Sequence, residues 1–496
     1  MRGGGKVYLG IDIGTTNCKL GLVDKDGREL EPMTFKTPVI HPRKGWAEYD
    51  CNTLWDLISD SVKKITSYYN CQDTLNGIAI SSQGESGLFV DENGIPLMNA
   101  IAWYDDRTKS MIDNLESKID SDEIREITGI ETNYIHSLFK MQWIKVNSPS
   151  IYKQAHKWHC LSDFLVRKMT GKIIMDYSLA SRTMLFDIRN KEWSSKLLDV
   201  AELDIKLLPK PVPSGEIIDS VKSSVKKEWG IKGNVSVVSG GFDHMVGCYG
   251  LGANFENQAV ISIGTTESLC LYSNSYKDAY YPGFSQGRHV FNDSYYILGG
   301  MPSGGETIEW AIKTILNYEN VGTVGFDSLK EAIRGSDIGS NGVIFLPHLK
   351  GCVTPNVDST SRGMFVGLSI QTTSNDLIRS ITEGLCFEFR LIIDQFEGGN
   401  LESFLAIGGG VKNQEWMQIK ADVLNKKVIT LEINDAVIFG AAKLVADALN
   451  EPIQLDENVK RKVYYPENES VIKYEEIYRK TYTRLYELNR EILRRK

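Results

Sequence analysis

This chain of 496 residues has no uninterrupted apolar run of membrane-spanning length, and its opening MRGGGKVYLG holds no stretch resembling a secretory leader. Neither a membrane span nor export is expected, and residence in the cytoplasm follows. The eight cysteines are scattered at positions 18, 51, 71, 160, 248, 270, 352 and 386, with no Cys-x-x-Cys pair and no Cys/His cluster. Such spacing excludes a zinc site and a disulfide framework, and predicts reduced, buried thiols. No long Lys/Arg run occurs and the net charge is −8, so nucleic-acid binding is not the main role. Gly3-Gly4-Gly5-Lys6 is no P-loop, because Val7 stands where Ser or Thr is required and the first glycine of the spacing is missing.

What remains is an ordinary soluble composition, 42% hydrophobic and 24% charged, in a chain too long for one core. Two domains are expected. The most informative stretch is LGIDIGTTNCKLGLVD, Leu9 to Asp24, where two apolar runs flank a glycine-bounded tip. The pattern predicts a hairpin whose tip offers backbone N–H groups and two threonine hydroxyls, donors suited to phosphate oxygens. Asp12 stands beside them, as a carboxylate holding Mg2+ would. The tetrapeptide Ile13-Gly14-Thr15-Thr16 returns as Ile263-Gly264-Thr265-Thr266, again between apolar runs. An interval of about half the chain points to one large duplicated unit and not to a short solenoid repeat. Two such hairpins facing each other would hold a polyphosphate between them.

Elsewhere short β-rich runs alternate with amphipathic helical stretches, the mark of an α/β protein. Asn52 is the expected cap of a helix in which Trp55, Ile58, Val62 and Ile65 recur at helical spacing. GIAISSQG, Gly77 to Gly84, reads as the following buried strand, and GVIFLPHL and FLAIGGG repeat the theme later. The proline-rich LLPKPVPSGE and the charged segment 221–233 mark the end of the first half. A terminal amphipathic helix is expected from Tyr478, Tyr482, Leu485, Leu488 and Ile492, docked on the body.

Eight segments in order, DIGTTNCK, SSQGESG, AIAWYDDRT, SGGFDHMVG, SIGTTES, PSGGETIEW, FLPHLKGCVTPNVDSTSRGMFVGL and AIGGGVKNQEWMQIKADVLNKKV, resemble the FGGY carbohydrate kinases. Those are two-domain sugar and polyol kinases. The resemblance implies an α/β fold of two actin-like, ribonuclease-H-like domains around a central catalytic cleft. Residues 1–236 would hold mainly the sugar and 237–460 mainly ATP, with 461–496 a helical extension.

It further implies that Asp243 is the catalytic base and that Asp12, with Asp243, is associated with Mg2+. Thr15, Thr16 and Lys19 resemble the first phosphate loop, and Gly264, Thr265 and Thr266 the second. Gly304 and Gly305 line up with a loop approaching the nucleotide, and Gly408, Gly409, Gly410 and Asn413 with the adenine side. Gln83, Glu85, Trp103, Asp105, Arg107 and His244 fall where the family contacts its acceptor. These types suit a polyhydroxylated ligand, since carboxylates and amides bond vicinal hydroxyls and an indole covers a C–H face. For Asp105 and Arg107 a structural ion pair is an equal alternative.

Glycerol kinases resemble Gln-Arg-Glu at the first acceptor loop, whereas this chain has Gln83-Gly84-Glu85, and xylulose kinases favour Met-His there. Loss of the arginine is expected to leave room for a longer polyol or a ketose such as xylulose. The expected reaction is ATP-dependent phosphorylation of a small sugar or polyol, with no nucleic-acid or membrane partner and room for a homodimer. An actin-like or chaperone-like ATP-binding protein, or a sugar-binding pseudo-kinase, would use the same hairpins without the transfer.

Overall fold

Val7, Leu9, Ile11 and Ile13 alternate with Tyr8, Gly10 and Asp12, and every one of these seven residues is buried in β1 (Val7–Ile13). The computed structural model describes residues 5–252, 257–277, 282–291, 293–318, 323–396, 401–456 and 458–493. β1 pairs antiparallel with β2 (Asn17–Asp24), which pairs with β3 (Met33–Lys36), so the expected hairpin forms. The odd-numbered residues of β1 share a core with Leu54, Trp55, Ile58 and Val62 of α1 (Cys51–Tyr68). The cap of α1 is Asp50 and not Asn52: its carboxylate accepts from the amides of Asn52 and Thr53, which are already donors of the first turn.

Beyond α1, β4 (Leu75–Ser82) joins β1 in parallel, and β6 (Ser236–Phe242) joins β4 in parallel. With β5 (Ile217–Ser220) at the edge, the first sheet has the order β5-β6-β4-β1-β2-β3. The chain thus leaves this sheet after Phe242 and enters α2 (Asp243–Gly250) directly.

The second sheet repeats the plan. β7 (Gln258–Ile263) and β8 (Glu267–Ser273) form the second hairpin. β9 (Ser285–Arg288) and β10 (Tyr295–Met301) extend it, and α3 (Gly305–Thr314) follows. After α4 (Ser374–Ile393) come β11 (Ser403–Ile407), α5 (Gln414–Leu424), β12 (Lys427–Leu431), α6 (Ala436–Ala448) and β13 (Arg461–Tyr464). The order β9-β10-β8-β7-β11-β12-β13 places a hairpin beside parallel strands, as β2-β1-β4-β6 does in the first sheet. The duplicated unit read from the two Gly-Thr-Thr tips is therefore a duplicated sheet.

The two units are interlocked through α2 and α6. Although it follows the second sheet in sequence, α6 lies on the first: a Cβ on Gly10 would overlap the Ile438 carbonyl, and one on Gly77 the Val445 side chain. Its Phe439, Ala442 and Val445 share a core with Tyr8 and Ala79. α2 and α6 cross backbone to backbone, since a Cβ on Gly440 would overlap the Val246 carbonyl and one on Gly250 the Ala436 carbonyl. Glycine is required at both places by this close approach.

At the C-terminal end, the expected single helix is two, Asn468–Lys480 and Leu485–Leu493, and the tyrosines and Leu485 of the stripe dock whereas Leu488 and Ile492 are exposed. Tyr474, Tyr478 and Tyr482 are buried, and Phe387 of α4 lies 5.1 Å from the Tyr482 ring. All eight cysteines are free and buried. Among the described residues no helix is long and apolar enough to cross a membrane.

Candidate active site

The tip of the first hairpin is closed by the Gly14 amide, which donates to the Asn17 carbonyl at 3.1 Å. Its Thr15 hydroxyl donates to Gln83 Oε1 at 2.6 Å and accepts from Trp103 Nε1 at 3.1 Å. One threonine therefore ties the first hairpin to Gln83 and Trp103. Thr16 is exposed at the tip. Gln83 Nε2 is buried without a hydrogen-bond partner, a donor available to a ligand.

Asp12 lies on the face of β1 that meets α6, and its Oδ1 is buried without a partner. Burial, with Asp243 and Asp435 nearby, lifts its carboxyl well above the usual carboxylate range, against the pull of Lys19. Lys19 is anchored: its ammonium donates to Asp435 Oδ2 at 2.6 Å, while Asp435 caps α6 through the amides of Val437 and Ile438. An aspartate immediately before an apolar helical run is a readable cap signal, but its pairing with the first hairpin is a tertiary fact.

Asp243 is the first residue of α2, at the end of β6, with Oδ1 accepting from the His244 amide at 2.7 Å. Enclosure by protein raises its pKa, Glu85 adds to the rise, and His244 and Arg182 oppose it. His244 itself is exposed, its ring 5.2 Å from that of Phe242. Asp12, Asp243, Gln83, Glu85 and Trp103 thus gather at the ends of β1, β4 and β6, where open α/β sheets place ligands.

Two expected contacts are corrected. Asp105 is fully buried and its oxygens receive the Ala47 amide, the Arg107 amide and two bonds from the Arg107 guanidinium, at 2.7 to 3.0 Å. Arg107 in turn reaches Glu48 at 2.8 Å and stacks 3.7 Å from the Trp46 ring centre. With both Asp105 oxygens doubly occupied and the Arg107 guanidinium held by Asp105, Glu48 and Trp46, the two residues form an internal scaffold. The space over Gly84 is also not open, since a Cβ there would sit 3.0 Å from Cγ of Arg182. Arg182, which nothing in its local sequence SLASRTM singles out, bonds Glu85 Oε1 through Nε at 2.6 Å.

The second set assembles on the other sheet. Gly264, Thr265 and Thr266 form an exposed tip, and the amides at the start of α3 bond its carbonyls, Gly305 to Gly264 at 2.8 Å and Glu306 to Thr265 at 3.2 Å. A Cβ on Gly304 would come within 2.8 Å of the Thr266 backbone, so this glycine permits the loop to press against the tip. Gly408, at φ +96°, and Gly410 pack on Ile263 at the base of the same hairpin. Gly409 faces open space and is the one of the three that a ring could approach. Asn413 caps α5 through the Trp416 amide at 2.9 Å, and its Nδ2 is buried without a partner. Under the tip, Glu267 and Lys420 form an ion pair with both side chains fully buried.

This chain matches the model of the N-terminal domain of the FGGY family of carbohydrate kinases over residues 7–250 and that of the C-terminal domain over 259–449. It is 30% identical over 446 residues to the xylulose kinase of Staphylococcus xylosus, spanning 88% of this chain and 90% of that protein. It is 29% identical over 499 residues to the xylulose kinase of Bacillus subtilis, 98% of each. The crystal structure of xylulose kinase from Rhodospirillum rubrum superimposes with a TM-score of 0.90 over 99% of this chain and all of that one, at 21% identity.

Proposed function

Because this chain belongs to the FGGY family of carbohydrate kinases, we propose that it transfers the γ-phosphoryl group of ATP to a hydroxyl of a ketopentose such as xylulose, with Asp243 as general base. The observation that carries this reading is the place of Asp243, between the unpartnered carboxylate of Asp12 and the Glu85–Arg182 pair. The hydroxyl oxygen attacks the γ-phosphorus as its proton passes to Asp243, and the bond from that phosphorus to the β,γ-bridging oxygen breaks to release ADP. The two Gly-Thr-Thr tips supply N–H and O–H donors for the phosphate oxygens, Gly409 and Asn413 border the adenine, and Gln83, Glu85, Trp103 and His244 surround the sugar. On this division the first sheet, which runs to Phe242 and not to 236, serves mainly the sugar, and the second, which takes in β13 (Arg461–Tyr464) beyond the expected limit of 460, serves mainly ATP, with the described helices after it packed as an extension.

Mg2+ fits Asp12 and Asp243. Three carboxylates, Asp12, Asp243 and Asp435, raise the charge density around an oxygen that nothing bonds. Among the described residues no three His, Cys, Asp or Glu side chains are grouped to hold a metal on their own. That suits Mg2+, which is usually bound by one or two carboxylates together with substrate phosphates and water. Bound there, it would neutralise charge on the β- and γ-phosphate oxygens.

The test is ADP release against a panel of tetritols, pentitols, ketopentoses and ketohexoses, repeated with Asp243→Asn. A ketopentose-dependent rate is expected, lowered about 100-fold or more in the variant, with ATP binding retained. Near-normal turnover in Asp243→Asn would remove the base, and ATP hydrolysis indifferent to every sugar would favour an ATP-driven conformational protein.

A further inference from the structure

Resting on that reading, the acceptor side of the cleft carries more than its class. Glu85 is built into its place by a left-handed backbone, φ +63°, which costs a non-glycine residue energy and fixes the direction of its side chain. Its carbonyl accepts from Ser137 Oγ at 3.0 Å. Arg182 Nε donates to Oε1 at 2.6 Å, and the ion-pair contact of Nη2, at 2.5 Å, falls on the same oxygen. Oε2 keeps its lone pairs.

Arg182 is equally fixed. Its carbonyl lies 3.1 Å from His136 Nδ1, and the preceding Ser181 hydroxyl accepts from the Arg288 amide at 3.0 Å. Its Cβ and Cγ fill the space above Gly84, at 3.2 and 3.0 Å from where a Cβ would be, and its guanidinium lies 5.4 Å from the ring of Phe242, the residue before Asp243, whose carboxyl feels its charge. Nη1 reaches Ser285 Oγ of β9 at 3.3 Å, so the side chain spans from the first unit to the second. A guanidinium has five N–H donors, and three face Glu85 and Ser285. Of the two that remain, one each on Nη1 and Nη2, one lies toward the Tyr296 hydroxyl and the other is spare. Burial works against its charge, yet Glu85 and Tyr296 hold its pKa above the ordinary guanidinium value. The Tyr296 hydroxyl beside it is buried and makes no hydrogen bond of good geometry.

The spare groups are therefore complementary: an acceptor on Glu85 Oε2 and a donor on Arg182, two residues whose charges the base feels. We propose that Arg182 is a specificity-determining residue and that, with Glu85, it reads two adjacent hydroxyls of the acceptor, one donating to Glu85 Oε2 and its neighbour accepting from Arg182 Nη1 or Nη2. The acceptor class is an acyclic ketose or polyol with a vicinal diol beyond the phosphorylated hydroxyl. A site built around such bonds rejects an analogue lacking one hydroxyl, because buried polar groups are then left unpaired.

The experiment compares kcat/KM for D-xylulose and for its 3-deoxy and 4-deoxy analogues in the wild type, Arg182→Gln, Arg182→Lys and Glu85→Gln. The wild type is expected to prefer xylulose over one analogue by about 100-fold or more. Arg182→Gln should lose about 100-fold on xylulose but only about threefold on that analogue, removing the preference, with KM for ATP unchanged. Arg182→Lys keeps Glu85 paired and should retain the fold, so its failure to restore the preference separates diol reading from mere support. An equal fall on all three sugars, or a preference intact in both Arg182 variants, would overturn the inference. A wild type that phosphorylates neither xylulose nor any polyol would instead overturn the proposed function.

Discussion

Replacing Lys420 by Met would remove the cation from a pair in which both side chains are fully buried. The ammonium lies 4.3 Å from the Phe389 ring and 5.9 Å from that of Trp416, so Met refills the volume with apolar contacts and the loss is almost purely electrostatic. Glu267 Oε2 already has no hydrogen bond, and without Lys420 the whole carboxylate would be stranded. Removing one partner of a buried pair typically costs about 3–5 kcal/mol. The carboxylate has an escape, however, since it can take up a proton at about 1.4 kcal/mol for each pH unit above its ordinary value. From the ordinary value of 4.5, the penalty is capped at about 5 kcal/mol at pH 8 and about 2 kcal/mol at pH 6.

The sign follows from linkage. Burial already holds the Glu267 carboxyl above its ordinary value, against Lys420, and the variant raises it further. A carboxyl with a raised folded-state pKa gives full stability below its unfolded value and loses it as pH rises toward the folded one. Urea midpoints read by tryptophan fluorescence at pH 6 and pH 8 should show Lys420→Met losing about 3 kcal/mol more at the higher pH. The double variant Lys420→Met, Glu267→Gln should recover most of the loss and all of its pH dependence. Since Glu267 follows Thr266 directly, the single variant should also raise KM for ATP more than KM for sugar. Equal losses at the two pH values, or a double variant as unstable as the single one, would refute the reasoning.

Two further outcomes are expected. Asp243 must be ionised to accept a proton, so kcat/KM should fall tenfold per pH unit on the acid side, with a midpoint above the ordinary 3.8 because burial and Glu85 raise it; a pH profile flat to pH 4 would exclude it as the base. Asp105→Asn should cost about 3 kcal/mol in chemical denaturation, by weakening bonds to Arg107 and Ala47, while KM for sugar stays near wild type. A rise in KM without a loss of stability would instead make Asp105 a direct contact.

Local pattern carried the hairpins, the buried strand after α1 and the aromatic stripe of the terminal helices, because strand alternation and helical spacing are visible within ten or so residues. The repeated Gly-Thr-Thr carried the duplication, since each copy closes the same hairpin in its own sheet. Long-range pairing was not readable. Arg182 meets Glu85 across 97 positions and Lys19 meets Asp435 across 416. The same limit explains Asp105 and Arg107, whose residue types fit both a sugar contact and a scaffold until Ala47, Glu48 and Trp46 are seen around them. At the helix start, Asp50 and Asn52 are both good caps by composition, and only backbone geometry decides between them.

The position of α6 on the first sheet has a consequence for biosynthesis. When Phe242 leaves the ribosome every strand of that sheet has been made, but the helix that covers Gly10 and Gly77 lies at 436–448 and does not yet exist. At about 5–20 residues per second, the roughly 200 residues between them take about 10–40 s to translate. Throughout that interval the face of the nascent first sheet that carries Tyr8 and Ala79 lacks its covering helix α6, so the amino-terminal unit cannot complete its fold until residue 448 has been made. Truncation before residue 436 therefore removes a wall of the first unit along with part of the second.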